Sequence, residues 1–113
     1  FLFGMMLANK LKVPFVPVRK KGKLPYEVVS YKYDLEYGSA EVEIHVDAIQ
    51  KGWNVLVHDD LLATGGTAAA SAELIKKLGG LVCGFAFVIE LTFLNGKEKL
   101  NEYTNNTISL LKY

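Results

Sequence analysis

Between Trp53 and Glu90 the chain runs apolar strand, small-residue loop, helix, glycine pair and apolar strand. No other feature restricts the fold as much. Trp53 to His58 is an apolar stretch of strand length, and Leu81 to Glu90 is a second, rich in Val, Phe and Ile. Between them, Thr67 to Leu78 places Ala68, Ala72 and Ile75 on one helical stripe, and Gly79-Gly80 ends the helix. Strands joined through a helix pair in parallel, because a parallel connection needs a crossover. The expected fold is therefore α/β, a parallel sheet flanked by helices.

The rest of the chain is read against that unit. Phe3 to Leu11 is rich in good helix formers and is followed by Pro14, which predicts a helix. Val13 to Val18 is expected to be a short buried strand, pushed to a sheet edge or made irregular by Pro14 and Pro17. Arg19 to Pro25 reads as a basic loop. Glu27 to Asp34 and Glu41 to Val46 alternate in polarity and read as a hairpin around Tyr37-Gly38-Ser39. Its composition marks it as a flexible insertion, about residues 26–46, more exposed than the sheet. Gly96 to Leu100 is a turn or short helix, and Thr107 to Leu111 a last strand. One domain covers 1–113. Half of the residues are hydrophobic and 22% are charged, enough to bury a core. A net charge of +1 gives no reason to expect nucleic acid or a membrane surface as partner. No apolar run approaches the ~18 residues of a membrane span. A single cysteine, Cys83, allows no internal disulfide and suits the cytoplasm. Cys83 lies in an apolar strand and is expected to be buried and inert. The chain opens on the bare apolar run Phe1-Leu2-Phe3, so it reads as cut from something longer.

The chemistry concentrates in Val55-Leu56-Val57-His58-Asp59-Asp60-Leu61-Leu62-Ala63-Thr64-Gly65-Gly66-Thr67. An apolar strand runs into two adjacent carboxylates, then a tight loop, then a helix. In open α/β sheets ligands bind at the carboxyl ends of the strands, where Asp59 and Asp60 are expected. The free N–H groups of a glycine-rich loop entering a helix form an anion site, and the helix dipole assists it. Thr64 and Thr67 add hydroxyl donors. The loop therefore predicts a phosphate monoester. The carboxylates predict an adjacent group that donates hydrogen bonds or binds a cation, and a phosphorylated sugar diol satisfies both. Neither Gly-x4-Gly-Lys-Ser/Thr nor a strand-borne Gly-x-Gly-x-x-Gly is present, which excludes a P-loop and a dinucleotide fingerprint. Asp-Asp or Gly-Gly alone would mark only a turn; the whole ordered run is far more specific.

This run resembles the phosphoribosyl diphosphate (PRPP) motif of type I phosphoribosyltransferases. The resemblance implies that Asp59 and Asp60 hold the ribose hydroxyls, and that Ala63, Thr64, Gly65, Gly66 and Thr67 wrap the 5′-phosphate. His58 departs from the aliphatic residue usual at that place and is expected to pack as a neutral imidazole. Further stretches resemble the adenine-specific branch of the family: Phe1-Leu2-Phe3-Gly4, the basic run Arg19-Lys20-Lys21-Gly22-Lys23-Leu24-Pro25, Leu35-Glu36-Tyr37-Gly38 with Glu41 and Glu43, and Val88-Ile89-Glu90-Leu91-Thr92. They run through the whole chain in the family's order.

The resemblance implies a reaction in which adenine displaces pyrophosphate from the ribose C1′ of PRPP, giving AMP. Arg19, the one arginine, presents a fork suited to phosphate oxygens, and Lys20 and Lys23 add point charges, so these three are assigned to pyrophosphate. Glu36 and Tyr37 are the implied catalytic residues, on a loop that closes and excludes water. Glu36 accepts a proton from the purine, donates one to it, or stabilises charge on the ribose. Leu91 is expected to pack on the base, with Glu90 and Thr92 nearby. Mg2+ is the implied cofactor, bound mainly through the diphosphate, with no direct protein ligand. A homodimer in the cytoplasm is expected. The remaining alternatives are a non-catalytic, PRPP-sensing regulator of the same fold and a phosphoribosyltransferase for another base, such as xanthine or orotate. The family's active site also needs a hood, a pyrophosphate loop and a Ser-Arg-Gly triplet, all expected upstream of Phe1.

Overall fold

The computed structural model describes residues 2–35 and 38–113. Glu36 and Tyr37, the sequence-predicted catalytic pair, lie outside the described residues. In chain order the elements are α1 (Leu2–Leu11), β1 (Arg19–Lys20), β2 (Val28–Leu35), β3 (Gly38–His45), β4 (Asn54–Leu62), α2 (Gly66–Lys77), β5 (Leu81–Glu90), a 3-10 turn (Thr92–Leu94), α3 (Gly96–Leu100) and β6 (Thr107–Lys112). They form two three-stranded sheets. One is antiparallel, in the order β1-β3-β2; the other is parallel, in the order β4-β5-β6. The parallel pairing deduced from the strand-helix-strand order is present. The crossover between β4 and β5 is α2.

Helix α2 lies against strands of both sheets. Its sequence explains why it can. Ala68, Ser71, Ala72 and Ile75 form one buried stripe, and Ala70 with Leu74 forms a second, about 130° round the helix at 100° per residue. A helix that is apolar on one stripe covers one surface; this one has two. Most of the buried side chains are small, so both sheets approach closely. The Ser71 hydroxyl donates to the Thr67 carbonyl one turn back and is satisfied within the helix. Phe85 and Phe87 stack with centroids 6.4 Å apart, and Tyr103 meets Phe85 edge-on. The Tyr103 hydroxyl donates to Glu73 of α2 at 2.8 Å, and burial, reinforced by that carboxylate, pushes its pKa up.

Four local expectations are corrected. Residues 13–18 form no strand: Pro14 and Pro17 cannot donate to a ladder, and pairing begins only at Arg19 and Lys20, which meet Glu43 and Val42. β4 does not stop at His58. It runs through both aspartates to Leu62, because β5 continues alongside as far as Glu90. The hairpin is not simply exposed, since Val42 and Ile44 belong to the central apolar cluster. Cys83 is exposed, not buried. It is the extra residue at a bulge between the pairs Val55–Val82 and Leu56–Gly84, which disturbs the inward-outward alternation of β5.

Leu74 is fully buried on the second stripe of α2. Leu74→Ala should lower unfolding free energy by about 2–5 kcal/mol, read from urea midpoints at constant m-value.

Candidate active site

The parallel strands β4, β5 and β6 end at Leu62, Glu90 and Lys112, so their carboxyl ends share one side of the sheet. There β4 passes into α2 through Ala63, Thr64 and Gly65. The structure brings Asp59, Ala63, Thr64, Gly65, Gly66 and Thr67 round one small concavity of about 250 Å³. Asp60 faces a larger, mainly apolar cleft of about 760 Å³ that Asp59 and Thr67 also border. Both aspartates are exposed and sit within a strand, where successive side chains point to opposite faces. Both precede the loop on β4 and border the larger cleft, and Asp59 also borders the smaller one. The Asp60 N–H donates to Asp59 Oδ1 at 2.8 Å, and the Asp60 carboxylate has His58 Nε2 3.9 Å from its Oδ1.

The loop depends on glycine for two different reasons. Gly65 has φ +89°, a left-handed conformation that side chains disfavour, and a Cβ there would come within 2.9 Å of the Gly96 carbonyl. Gly96 is buried, and a Cβ on it would run into the Ala63 carbonyl and the Leu62 side chain. The start of α3 is thus the floor of the loop. Gly66 has an ordinary φ; the Tyr33 ring lies close over it, 3.3 Å from where a Cβ would be. The Tyr33 hydroxyl reaches Thr67 Oγ1 at 3.0 Å. Neither Gly96 nor Tyr33 was singled out from sequence. Their partners lie more than thirty residues away, and no local pattern marks them.

The basic segment is held by a carboxylate. Glu43 is 3% exposed, and its Oε1 accepts the backbone N–H groups of Gly22, Lys23 and Leu24 at 3.1, 3.1 and 2.9 Å. The Leu24 N–H first, then those of Gly22 and Lys23 with the Lys21 charge, hold the Glu43 carboxyl below its ordinary value, against the opposing effect of burial. Glu43 therefore orders the basic turn, a role distinct from its place in the catalytic-loop pattern. Alternation puts Glu43 on the face opposite Val42 and Ile44, so no local pattern marked it for burial. Lys21 pairs with Glu41 at 3.4 Å. β3 lies between β1 and β2, so Arg19 and Lys20 join the sheet level with Ser30 and Tyr31, about two strand spacings, roughly 10 Å, away. Lys20 and Lys23 are exposed.

His58 is partly buried. Its Nδ1 donates to the Ala86 carbonyl at 2.9 Å, and its Nε2 is 3.9 Å from Asp60 Oδ1. Leu91 is half-buried, and its N–H donates to the Leu62 carbonyl, which seats it beside the start of the loop. Glu90 is buried and accepts the Ser109 hydroxyl at 2.7 Å, so its carboxylate is satisfied inside the sheet. The Thr92 hydroxyl donates to the Tyr113 carbonyl.

No family model matches the sequence. The chain is 61% identical over 113 residues to the adenine phosphoribosyltransferase of Clostridium botulinum, covering all of this chain and 64% of that protein. It is 58% identical over 108 residues to that of Pseudothermotoga lettingae, covering 96% of this chain and 64% of that one. Among solved structures, the adenine phosphoribosyltransferase of Thermoanaerobacter pseudethanolicus superposes with a TM-score of 0.95 at 57% identity, over all of this chain and 64% of that one. Over its whole length the chain is thus similar to adenine phosphoribosyltransferases. It spans about 61–64% of the length of the curated relatives it matches. The Saccharomyces cerevisiae member, solved with an imino-altritol bisphosphate and adenine, superposes at TM-score 0.91 and 49% identity, covering 98% of this chain and 61% of that one. The type I phosphoribosyltransferase fold expected from sequence is therefore the observed one.

Two outcomes are expected from these contacts. Glu43 releases its proton more readily in the folded chain than in the unfolded one, so its contribution to stability is complete above the ordinary carboxylate range and is lost as pH falls through the lowered value. Urea midpoints measured from pH 7 down to pH 3 should fall below about pH 5, and Glu43→Gln should flatten that fall while lowering stability at pH 7. Gly96→Ala should disrupt the loop through the Ala63 carbonyl and lower the urea midpoint of unfolding.

Proposed function

We propose that this chain forms part of the site that transfers the 5-phosphoribosyl group of PRPP to adenine, giving AMP and pyrophosphate in purine salvage. One observation carries the reading: two exposed aspartates precede a glycine loop at the amino end of α2, in a chain about 60% identical to adenine phosphoribosyltransferases. In this reading the backbone N–H groups of Ala63 to Thr67 and the hydroxyls of Thr64 and Thr67 take the 5′-phosphate at the positive end of the helix. Asp59 and Asp60 accept hydrogen bonds from the ribose hydroxyls. Arg19, Lys20 and Lys23 neutralise the departing pyrophosphate, and Glu43 keeps their turn in shape. Leu91, beside the loop, contacts the base. Glu36 and Tyr37 close over the reacting centre.

As the C1′–oxygen bond to pyrophosphate breaks, the C1′–N9 bond to adenine forms and the N9 proton leaves; Glu36 is the group proposed to handle it. The chemistry of the donor set fits Mg2+. Asp59 and Asp60 supply hard oxygens at the ribose, and a Mg2+ carried by PRPP would meet them through its own water. Bound there, the ion would neutralise charge on the diphosphate. The homodimer and the cytoplasmic location belong to the same proposal. Among the described residues no helix is long and apolar enough to cross a membrane.

Incubation with PRPP, Mg2+ and each purine in turn, followed by chromatography, tests the reading. AMP from adenine alone is the expected product. Product from another base would overturn adenine specificity, and PRPP binding without product from any base would favour the sensing regulator. Asp60→Asn should weaken ribose 5-phosphate binding about ten- to hundredfold, because a charged acceptor is lost.

A further inference from the structure

We infer that Tyr33 is a positioning residue for 5′-phosphate binding: its hydroxyl orients the Thr67 hydroxyl and so couples the hairpin to the phosphate loop. The inference rests on the phosphate reading of that loop. The observation behind it is the contact between two residues from different sheets. Tyr33 lies on β2 of the antiparallel sheet, and Thr67 lies in the first turn of α2, which follows β4. Their oxygens are 3.0 Å apart. Either hydroxyl can donate; a phenol is the stronger acid of the two, which favours the arrangement with Tyr33 donating and Thr67 accepting. A hydroxyl has one proton and two lone pairs. With its lone pair engaged by Tyr33, Thr67 keeps its own proton for an acceptor in the concavity that it borders. An anion there is such an acceptor, and a donor that is already accepting a bond is the stronger for it.

The ring takes part as well as the hydroxyl. Tyr33 packs closely over the Gly66 backbone. The ring thereby covers the loop at Gly66, while Gly96 lies against Gly65. β2 is also tied to the other end of α2. Lys77 Nζ donates to the Ser30 carbonyl at 3.1 Å and sits 5.3 Å from the Tyr31 ring centroid. Two attachments, at Thr67 and at Lys77, set β2 along the helix. Tyr33 is three residues before Glu36 in sequence. A hairpin lifted from α2 would take the Tyr33 hydroxyl with it, and Thr67 would lose its orienting partner. Hairpin position and phosphate affinity are therefore linked through one hydrogen bond.

The test is calorimetric titration of ribose 5-phosphate into the 113-residue chain, as wild type, Tyr33→Phe, Thr67→Val and the double variant. Tyr33→Phe keeps the ring over Gly66 and removes only the hydroxyl. It should weaken binding about two- to tenfold, the range of a single net hydrogen bond. In the Thr67→Val background the same change should have no further effect, since the coupling runs through the Thr67 hydroxyl. A merely structural role would lower affinity equally in both backgrounds, and that result would overturn the inference. So would wild-type affinity in Tyr33→Phe. Absence of ribose 5-phosphate binding by the wild type would instead sink the phosphate reading of the loop, and the inference with it.

Discussion

The burial of α2 between two sheets is the constraint on which the rest of the molecule depends. A helix with one apolar stripe would have served the parallel sheet alone and left the hairpin as an appendage. Here Ala70 and Leu74 add a second stripe to Ala68, Ser71, Ala72 and Ile75, and the helix surface becomes a shared interior. Close packing of that kind transmits position. Whatever fixes α2 fixes both the loop at its amino end and the strand β2 laid along it.

The glycine loop is shaped by contacts as well as by conformation. Gly65 supplies the left-handed turn. Gly96 and Gly66 supply nothing conformational; a Cβ on Gly96 would collide with the Ala63 carbonyl, and at Gly66 the Tyr33 ring packs tightly over the backbone. The loop is thereby held from below by the start of α3 and from above by the Tyr33 ring. Its N–H groups are set in place before any ligand arrives, the condition under which an anion site binds well.

The basic segment is organised by the opposite charge logic. Three successive N–H groups, from Gly22 to Leu24, converge on one oxygen of Glu43, so a buried carboxylate does for this turn what a phosphate would do for the other loop. The cationic side chains stay outside. Glu43 cannot serve as a proton carrier while it accepts all three bonds, because protonation would weaken each of them.

Much of the chain was legible from local order. The strand-helix-strand run between Trp53 and Glu90 declared a parallel α/β sheet, since periodicity and chain connectivity are local properties. The Asp59 to Thr67 run stood out for the same reason: the loop and the strand before it are built from consecutive residues. The Ala68, Ala72 and Ile75 stripe was equally plain. Tertiary structure alone decided the remainder. It extended β4 through both aspartates, because a strand persists while its neighbour continues to pair. It exposed Cys83 at a bulge, and it buried one face of a hairpin whose composition looked solvated. It also brought Tyr33 to Thr67, Gly96 beneath Gly65, and Glu43 to the basic turn. Each of these is a meeting between segments far apart in the chain, and no residue type or spacing records a partner that is chosen only when two sheets close on one helix.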